Sequence, residues 1–117
     1  MITIEQYGGH GLTRNTKPSD EHIENSLKGI ENVKKHLFSG KYDVVIIEEG
    51  NVAANYGLST VKDLIHIIDN KPQQTELIIT GCDTHPDVIE TTDLVTEMKD
   101  IKHYYKKGLK ARTGIEK

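Results

Sequence analysis

A hydrophobic run that ends in two adjacent carboxylates is the pattern in this chain best suited to chemistry. Val44-Val45-Ile46-Ile47 is an unbroken β-branched run, and Glu48-Glu49 follows it directly. This has the form of a Walker B strand, in which a carboxylate at the strand tip reaches a magnesium ion held by nucleotide phosphates. The alternative is structural, because acids often follow a buried strand where the chain returns to solvent. The usual first acid of the motif is Asp, whereas this chain has Glu48.

A Walker B strand works together with a phosphate-binding loop of the form G-x-x-x-x-G-K-[ST]. Gly40-Lys41 is the only Gly-Lys pair in the chain, with Lys35 where the first glycine belongs and Tyr42 where Ser or Thr belongs. The glycine-rich stretch Gly8-Gly9-His10-Gly11 has no lysine. The sequence therefore contains no P-loop.

Cysteine and histidine residues raise the question of a metal site or a nucleophile. Cys82 and His85 have tolerable ligand spacing, but no second Cys/His pair completes a set of four ligands. Nucleophilic catalysis by Cys82 requires a neighbouring base that the sequence does not reveal. We expect surface or boundary positions for three histidines on predicted helices: His22, His36 and His66.

Strands separated by helices must position these groups. We predict strands over residues 2–7, 44–47, 77–80 and 94–98, and helices from Ser19 to Gly40, from Ser59 or Thr60 to Asp69, and from Pro86 to Thr92. Alternating strands and helices with apolar strand interiors predict an α/β fold, a three-layer arrangement with a mainly parallel sheet. Ligands bind at the carboxyl ends of such strands. Three features fall there: Glu48-Glu49, Gly81-Cys82-Asp83 and the loop after Tyr7.

Length and composition indicate one ordinary domain over residues 1–117. The chain is 35% hydrophobic and 28% charged, which suits one hydrophobic core and not two. No apolar run approaches the roughly 20 residues of a membrane helix, and the first residues lack the pattern of a signal peptide. A single cysteine, Cys82, favours a reducing cytoplasm. We expect no membrane association.

Charge is distributed unevenly along the chain. Residues 1–98 carry 8 Lys/Arg against 16 Asp/Glu, a net of −8, whereas residues 99–117 carry 7 against 2, a net of +5. A basic tail could meet phosphate, or it could be a solvated terminus. Aromatic residues in the tail are confined to Tyr104 and Tyr105, so we expect no nucleic-acid partner.

The order of motifs along nearly the whole chain resembles the C-terminal half of the P-loop cob(I)alamin (corrinoid) adenosyltransferases. The stretch from Gln6 through Thr13 is similar to that family's loop after the P-loop half. The remaining matching segments, in order, are Tyr42-Asp43-Val44-Val45-Ile46-Ile47-Glu48-Glu49, Asn51-Val52-Ala53-Ala54-Asn55-Tyr56-Gly57-Leu58, Ile79-Thr80-Gly81, His85-Pro86, Asp93-Leu94-Val95-Thr96-Glu97-Met98, Ile101-Lys102-His103-Tyr104 and Gly108-Leu109-Lys110-Ala111-Arg112-Thr113-Gly114-Ile115-Glu116.

This resemblance implies a RecA-like domain that lacks its P-loop unit, and typically a homodimer. It implies transfer of the 5′-deoxyadenosyl group of ATP to a Co(I) corrinoid, with triphosphate released and cobalt as the nucleophile, so that the protein positions substrates and neutralises charge. The resemblance places Glu48 and Glu49 at magnesium-ATP, and Lys102 and His103 near phosphate or a second subunit. It places a corrinoid loop at Gly9, Gly11, Leu12, Thr13 and Arg14.

Departures from the family pattern fall at the ligand positions. Gly11-Leu12-Thr13-Arg14 stands where the family commonly has Gly-Phe-Thr-Trp, and Cys82 stands where an Arg usually follows Thr-Gly. Two hypotheses follow: an adenosyltransferase half whose nucleotide half is a separate chain or is missing from this sequence, or a non-catalytic binding or assembly module. A fragment of a motor ATPase is disfavoured by the motifs from Gly81 to Glu116. Either way we expect the isolated chain to be inactive and to self-associate over its exposed sheet edge.

Overall fold

Helices and strands alternate along the chain, as the sequence predicts. A computed structural model describes residues 1–9 and 16–115. Within those residues the elements are α1 (Asp20–Phe38), β1 (Val44–Ile47), α2 (Gly50–Asn55), α3 (Val61–Asn70), β2 (Glu76–Ile79), α4 (Pro86–Thr91) and a 3₁₀ helix (Tyr104–Lys107). Among the described helices, none has the length and apolar character needed to cross a bilayer.

Reciprocal capping hydrogen bonds fix where α1 and α3 begin. The Ser19 hydroxyl accepts from the His22 amide at 3.3 Å, and the His22 ring accepts from the Ser19 amide at 3.2 Å. Thr60 and Asp63 exchange the same pair of bonds at the start of α3, at 3.1 and 2.9 Å. Each box satisfies amide groups that the first helical turn leaves unpaired, so both predicted starting positions are confirmed.

β1 and β2 form a parallel sheet in which Val44 is paired with Glu76 and Ile47 with Ile79. The Asp43 carbonyl accepts from the Glu76 amide at 2.8 Å at one end, and the Ile47 carbonyl accepts from the Thr80 amide at 3.0 Å at the other. Parallel strands need a long crossover, which α2 and α3 supply here. The α/β fold class with parallel strands is confirmed.

The hydrophobic core lies on one face of this sheet. Its buried side chains come from α1, α3 and α4, namely Ile30, Leu37, Leu64, Ile67 and Val88. Alternate strand residues pack against them, namely Val45, Ile47, Leu77 and Ile79. Leu27 of α1 is 46% exposed, while Gly29 and Leu37 of the same helix are buried.

Two strand predictions are wrong, and one helix was not predicted. Residues 2–7 and 94–98 form no strand with any described residue. Alternating or β-rich sequence is a local signal, whereas a strand exists only where a second strand pairs with it. Helix α2 follows the acidic strand tip directly and is only six residues long, too short to give a periodic pattern.

Candidate functional site

The acidic tip of β1 is held by the strand beside it. The Glu49 amide donates to the Thr80 hydroxyl at 3.1 Å, and the Thr80 amide donates to the Ile47 carbonyl at 3.0 Å. Glu48 and Glu49 are both exposed. Glu49 has a positive φ of 57°, a left-handed conformation that costs a non-glycine residue roughly 1–2 kcal/mol. The turn from strand to helix therefore presents two carboxylates to solvent on a fixed backbone.

Two glycines allow α2 to approach the end of the sheet closely. A Cβ on Gly50 would lie 2.8 Å from the Ile47 side chain and 3.0 Å from the Ile79 side chain. Gly81 has a φ of +127°, and a Cβ there would lie 3.1 Å from both the Asn51 Cβ and the Val52 amide nitrogen. Because backbone and methyl groups fill the space, neither position accepts a side chain without movement.

Two asparagines of α2 connect the acidic tip to the loop after β2. The Asn51 amide donates to the Thr80 carbonyl at 3.2 Å, and its 6%-exposed side chain leaves Oδ1 without a partner among the described residues. The Asn55 side chain donates to the Asp83 carbonyl at 2.7 Å. The predicted juxtaposition of Glu48-Glu49 with Gly81-Cys82-Asp83 is thus brought about by Thr80, Asn51 and Asn55.

Cys82 and His85 belong to no group of three metal-ligating side chains among the described residues. His85 is the N-cap of α4, where its ring nitrogen accepts from the Asp87 amide at 3.2 Å. Cys82 is exposed. Across residues 1–9 and 16–115 no three His, Cys, Asp or Glu side chains are grouped closely enough to hold a metal ion by themselves.

A groove of about 1180 Å³ runs from the acidic tip along β1. Its walls are residues 1–9, one side of α1, the whole of β1, and residues of α2, of α3 and of the turn between them. Gly9 lines the groove together with Glu48 and Glu49, so the structure brings part of the predicted corrinoid loop and the predicted magnesium ligands to one cavity. Gly11, Leu12, Thr13 and Arg14 lie outside the described residues.

Residues 1–9 are attached to α1 by polar contacts. A carboxylate oxygen of Glu5 lies 3.2 Å from Nε2 of His36. The Tyr7 hydroxyl donates to Glu5 at 2.5 Å, and this bond is the main reason that the pKa of Glu5 is lowered and the pKa of Tyr7 is raised. The Asn32 amide donates to the same hydroxyl, and the Tyr7 ring fills the space over Gly29.

Lys102 and His103 lie apart from the groove, among exposed residues. The His103 ring accepts from the Tyr105 amide at 3.0 Å and so caps the 3₁₀ helix. The guanidinium carbon of Arg112 lies over the Tyr104 ring, 5.4 Å from the ring centroid. Within the described part of the chain the basic tail therefore folds on itself, and it brings neither predicted residue to the acidic tip.

Sequence reasoning missed Thr80, Asn51 and Asn55, which fix the geometry of the site. The available signal was an asparagine pair spaced i and i+4, which begins one glycine after the two acids. That spacing places both side chains on one side of a helix.

Ligands of open parallel α/β sheets bind outside the carboxyl ends of the strands, which is where Glu48 and Glu49 lie. The model of the family "ATP:corrinoid adenosyltransferase BtuR/CobO/CobP" matches residues 1–116, and this chain belongs to that family.

Curated relatives support the same assignment. The chain is 32% identical to a corrinoid adenosyltransferase of Sinorhizobium sp over 92% of its own length and 51% of the relative. It is 26% identical to that of Escherichia coli K12, covering 91% of this chain and 54% of the relative. It is 29% identical to that of Pseudomonas aeruginosa, covering 92% and 53%. The chain thus spans about half the length of the curated relatives it matches.

Proposed function

We propose that this chain is one half of an ATP:corrinoid adenosyltransferase and that it acts with a half that bears the P-loop. The observation that carries the proposal is the pair Glu48 and Glu49 on a fixed strand tip, facing the same groove as Gly9. Both belong to a chain matched by the family model over residues 1–116.

The donor set of the strand tip suits magnesium. Magnesium in nucleotide sites is bound by one or two carboxylates and completes its shell with water and phosphate oxygens. Glu48 and Glu49 are exposed and adjacent, and no third protein ligand is grouped with them among the described residues. The ion would neutralise phosphate charge, and the two carboxylates would hold it.

The reaction we propose joins cobalt to carbon. The Co(I) corrinoid supplies the electron pair that forms the bond to C5′ of ATP, the C5′–O bond breaks, and triphosphate leaves with that bond's electrons. The work of this chain is to orient the two substrates and exclude water. Gly9, Gly11, Leu12, Thr13 and Arg14 would lie against the corrinoid, and Lys102 and His103 would approach phosphate or a second subunit.

The first test compares the chain alone with the chain plus the missing half. The Sinorhizobium sp relative supplies that half as the region this chain does not match, expressed separately. Each sample receives ATP, magnesium and chemically reduced cobalamin under anaerobic conditions, and the absorption of a light-sensitive alkylcobalamin is recorded. We expect product from the pair and none from the chain alone. An inert pair contradicts the proposal.

A matched pair of variants assigns the acidic tip. Glu49→Gln removes one carboxylate of the tip, and Glu90→Gln removes an exposed carboxylate from α4. We expect Glu49→Gln to lower the rate and to raise the magnesium concentration that the reaction requires, and Glu90→Gln to do neither. If the two variants change the rate and the magnesium requirement equally, the acidic tip is not the metal site.

The departures at Leu12, Arg14, Glu48 and Cys82 favour a second candidate, a non-catalytic binding or assembly module. Calorimetry of the paired halves with magnesium-ATP distinguishes the enzyme from the non-catalytic module. Micromolar binding supports the enzyme, and absence of heat supports the module. In either case the single exposed cysteine fits a reducing cytoplasmic setting.

A further inference from the structure

Thr80, the residue after β2, uses all three of its polar groups on the turn between β1 and α2. Its amide donates to the Ile47 carbonyl at 3.0 Å, and its carbonyl accepts from the Asn51 amide at 3.2 Å. Its hydroxyl accepts from the Glu49 amide at 3.1 Å. The first two bonds are made by the backbone, so any residue except proline keeps them, whereas the third requires a side-chain acceptor such as a hydroxyl. The Thr80 side chain therefore acts on Glu49.

Glu49 is the residue of this turn with an unfavourable backbone. It is the N-cap of α2 and has φ 57° and ψ 22°, the left-handed conformation that a Cβ disfavours. Its amide lies after the strand ladder and before the helical hydrogen bonds, so neither element supplies an acceptor for it. Among the described residues the acceptor is the Thr80 hydroxyl. Without that hydroxyl the left-handed conformation loses the bond that holds it.

The left-handed backbone decides on which side of the sheet the second carboxylate lies. Exposed and partly buried residues alternate along β1, and the strand ends with the partly buried Ile47. Continued alternation would expose Glu48 and would turn residue 49 toward the core. Glu49 is instead exposed and lines the same groove as Glu48. The pairing of two exposed carboxylates at the acidic tip therefore depends on the positive φ of Glu49.

The Glu49 carboxylate is also not used within its own helix. The N-cap side chains of α3 and α4, Thr60 and His85, each accept a hydrogen bond from an amide of the first helical turn. Glu49 is in the equivalent position of α2 and makes no capping hydrogen bond. Its carboxylate is thus left for a ligand outside the helix.

We propose that Thr80 is a positioning residue for magnesium. Its hydroxyl holds Glu49 in the left-handed conformation and thereby keeps the Glu49 carboxylate on the exposed side of the sheet with that of Glu48. This inference rests on the proposed function for the identity of the ion, whereas the effect on the conformation of Glu49 rests on the hydrogen bond alone. Residues that orient a metal ligand without touching the metal typically change metal affinity by about 10–100-fold.

Thr75 shows what a merely structural threonine does in the same pair of strands. It precedes β2 and is 1% exposed, and its hydroxyl donates to the Tyr42 carbonyl at 3.2 Å. Thr75 therefore joins the beginnings of the two strands as Thr80 joins their ends. If Thr80 only fastened the strands together, loss of either hydroxyl would lower stability and leave metal binding alone. Thr75→Val is the matched control for Thr80→Val, because each removes one hydroxyl and keeps the shape of the side chain.

The first measurement uses the full chain alone and needs no metal. The coupling between the amide and Cα protons of Glu49, together with its carbon chemical shifts, reports φ by nuclear magnetic resonance. We expect Glu49 to lose its positive φ in Thr80→Val and to keep it in Thr80→Ser and Thr75→Val. A dispersed spectrum shows that each variant is folded. A positive φ for Glu49 in folded Thr80→Val overturns the proposal.

The second measurement is metal binding by the chain together with the unmatched region of the Sinorhizobium sp adenosyltransferase. Manganese-ATP replaces magnesium-ATP, and the enhancement of water-proton relaxation on its immobilisation measures binding without any reaction. We expect Thr80→Val to weaken binding about tenfold or more. Thr80→Ser should restore binding to within about threefold of the unmodified chain, and Thr75→Val should stay within the same range.

A double-mutant cycle separates positioning from a general loss of stability. Thr80→Val should weaken binding no further when Glu49→Gln is already present, because no carboxylate is left at residue 49 to be positioned. Combined with Glu48→Gln, it should weaken binding further. Independent, additive effects of Thr80→Val and Glu49→Gln overturn the proposal.

Failure of the positioning role and failure of the proposed function give different results. If Glu49→Gln weakens manganese-ATP binding and Thr80→Val does not, the acidic tip is retained and the role of Thr80 is rejected. If neither variant changes binding, the acidic tip is not the metal site, and the proposed function fails together with the inference.

Discussion

Residues 19–92 and residues 93–115 contain similar kinds of side chain but have different structures. The first region, named here the compact unit, buries Ile30, Leu37 and Leu64 between helices and sheet. In the second, named here the arm, every residue is exposed. The arm nevertheless has six large apolar residues: Leu94, Val95, Met98, Ile101, Leu109 and Ile115. Apolar content alone does not decide whether a segment joins a core.

The difference lies in whether each element finds a partner within the chain. Each helix of the compact unit that supplies core residues has a cap and packs on a neighbour: α1 against β1, and α3 against α4. The arm has one short 3₁₀ helix with a local cap at His103. A local cap stabilises one turn, whereas burial requires a second surface. Residues 1–9 are intermediate, since Glu5 and Tyr7 contact α1 whereas Ile2 and Ile4 are exposed.

Leucine truncation in the two regions should give the largest contrast. Leu64 is 1% exposed and Leu94 is 85% exposed. We expect Leu64→Ala to lower the free energy of unfolding by about 2–5 kcal/mol, because it leaves a cavity in the core. Leu94→Ala should change it by less than about 0.5 kcal/mol. Urea titration followed by circular dichroism measures both, and equal losses would show that the arm belongs to the same core.

Glycine substitution tests the same contrast at the backbone. Gly81 and Gly108 both have positive φ, but a Cβ at Gly81 meets Asn51 and Val52 at 3.1 Å, whereas one at Gly108 meets nothing within 4 Å. We expect Gly81→Ala to cost about 2 kcal/mol or more of global stability from strain and crowding.

Gly108→Ala should strain only the arm and leave the unfolding midpoint unchanged. A midpoint shift for Gly108→Ala similar to that for Gly81→Ala would mean that the two regions unfold together.

The compact unit was largely predictable from sequence because its signals are local. Ser19, Thr60 and Pro86 marked the helix starts, and the run Val44–Ile47 marked β1. The predicted β2 is displaced by one residue from Glu76–Ile79. The acidic strand tip was also predictable, since residues after a parallel strand lie at the sheet's ligand-binding edge.

The predictions that were wrong concern segments whose structure depends on residues distant in the sequence. Residues 2–7 and 94–98 have strand-like sequences, yet no described residue pairs with them. The tertiary contacts of Asn51 and Asn55 were likewise invisible, because they depend on β1 lying beside β2. Sequence periodicity reports which face of an element is apolar and does not report what covers it.

Removal of a helix cap should have a smaller, pH-dependent effect. The pKa of Asp63 is lowered chiefly by the hydrogen bond from Thr60, against the opposing effect of burial. A lowered folded-state pKa contributes stability that is present above the ordinary Asp value and is lost as pH falls through the folded-state value. Thr60→Ala should therefore cost about 1 kcal/mol near neutral pH.

The difference between Thr60→Ala and the unmodified chain should shrink as pH falls from about 5 to about 2. Urea midpoints at several pH values measure it. Thr96→Ala, at an exposed position of the arm, is the control and should follow the unmodified chain throughout. If the stability difference stays constant with pH, the contribution of the Thr60 cap does not depend on the charge of the Asp63 carboxylate.

Deletion of residues 93–117 should have the smallest effect on the isolated chain. All described residues of this stretch are exposed, so the deletion removes little buried apolar area. We expect the free energy of unfolding to change by less than about 0.5 kcal/mol and the amides of the core helices to keep their protection from exchange. A loss above about 1 kcal/mol would show that the arm packs on the compact unit in solution, and the contrast between the two regions would then be wrong.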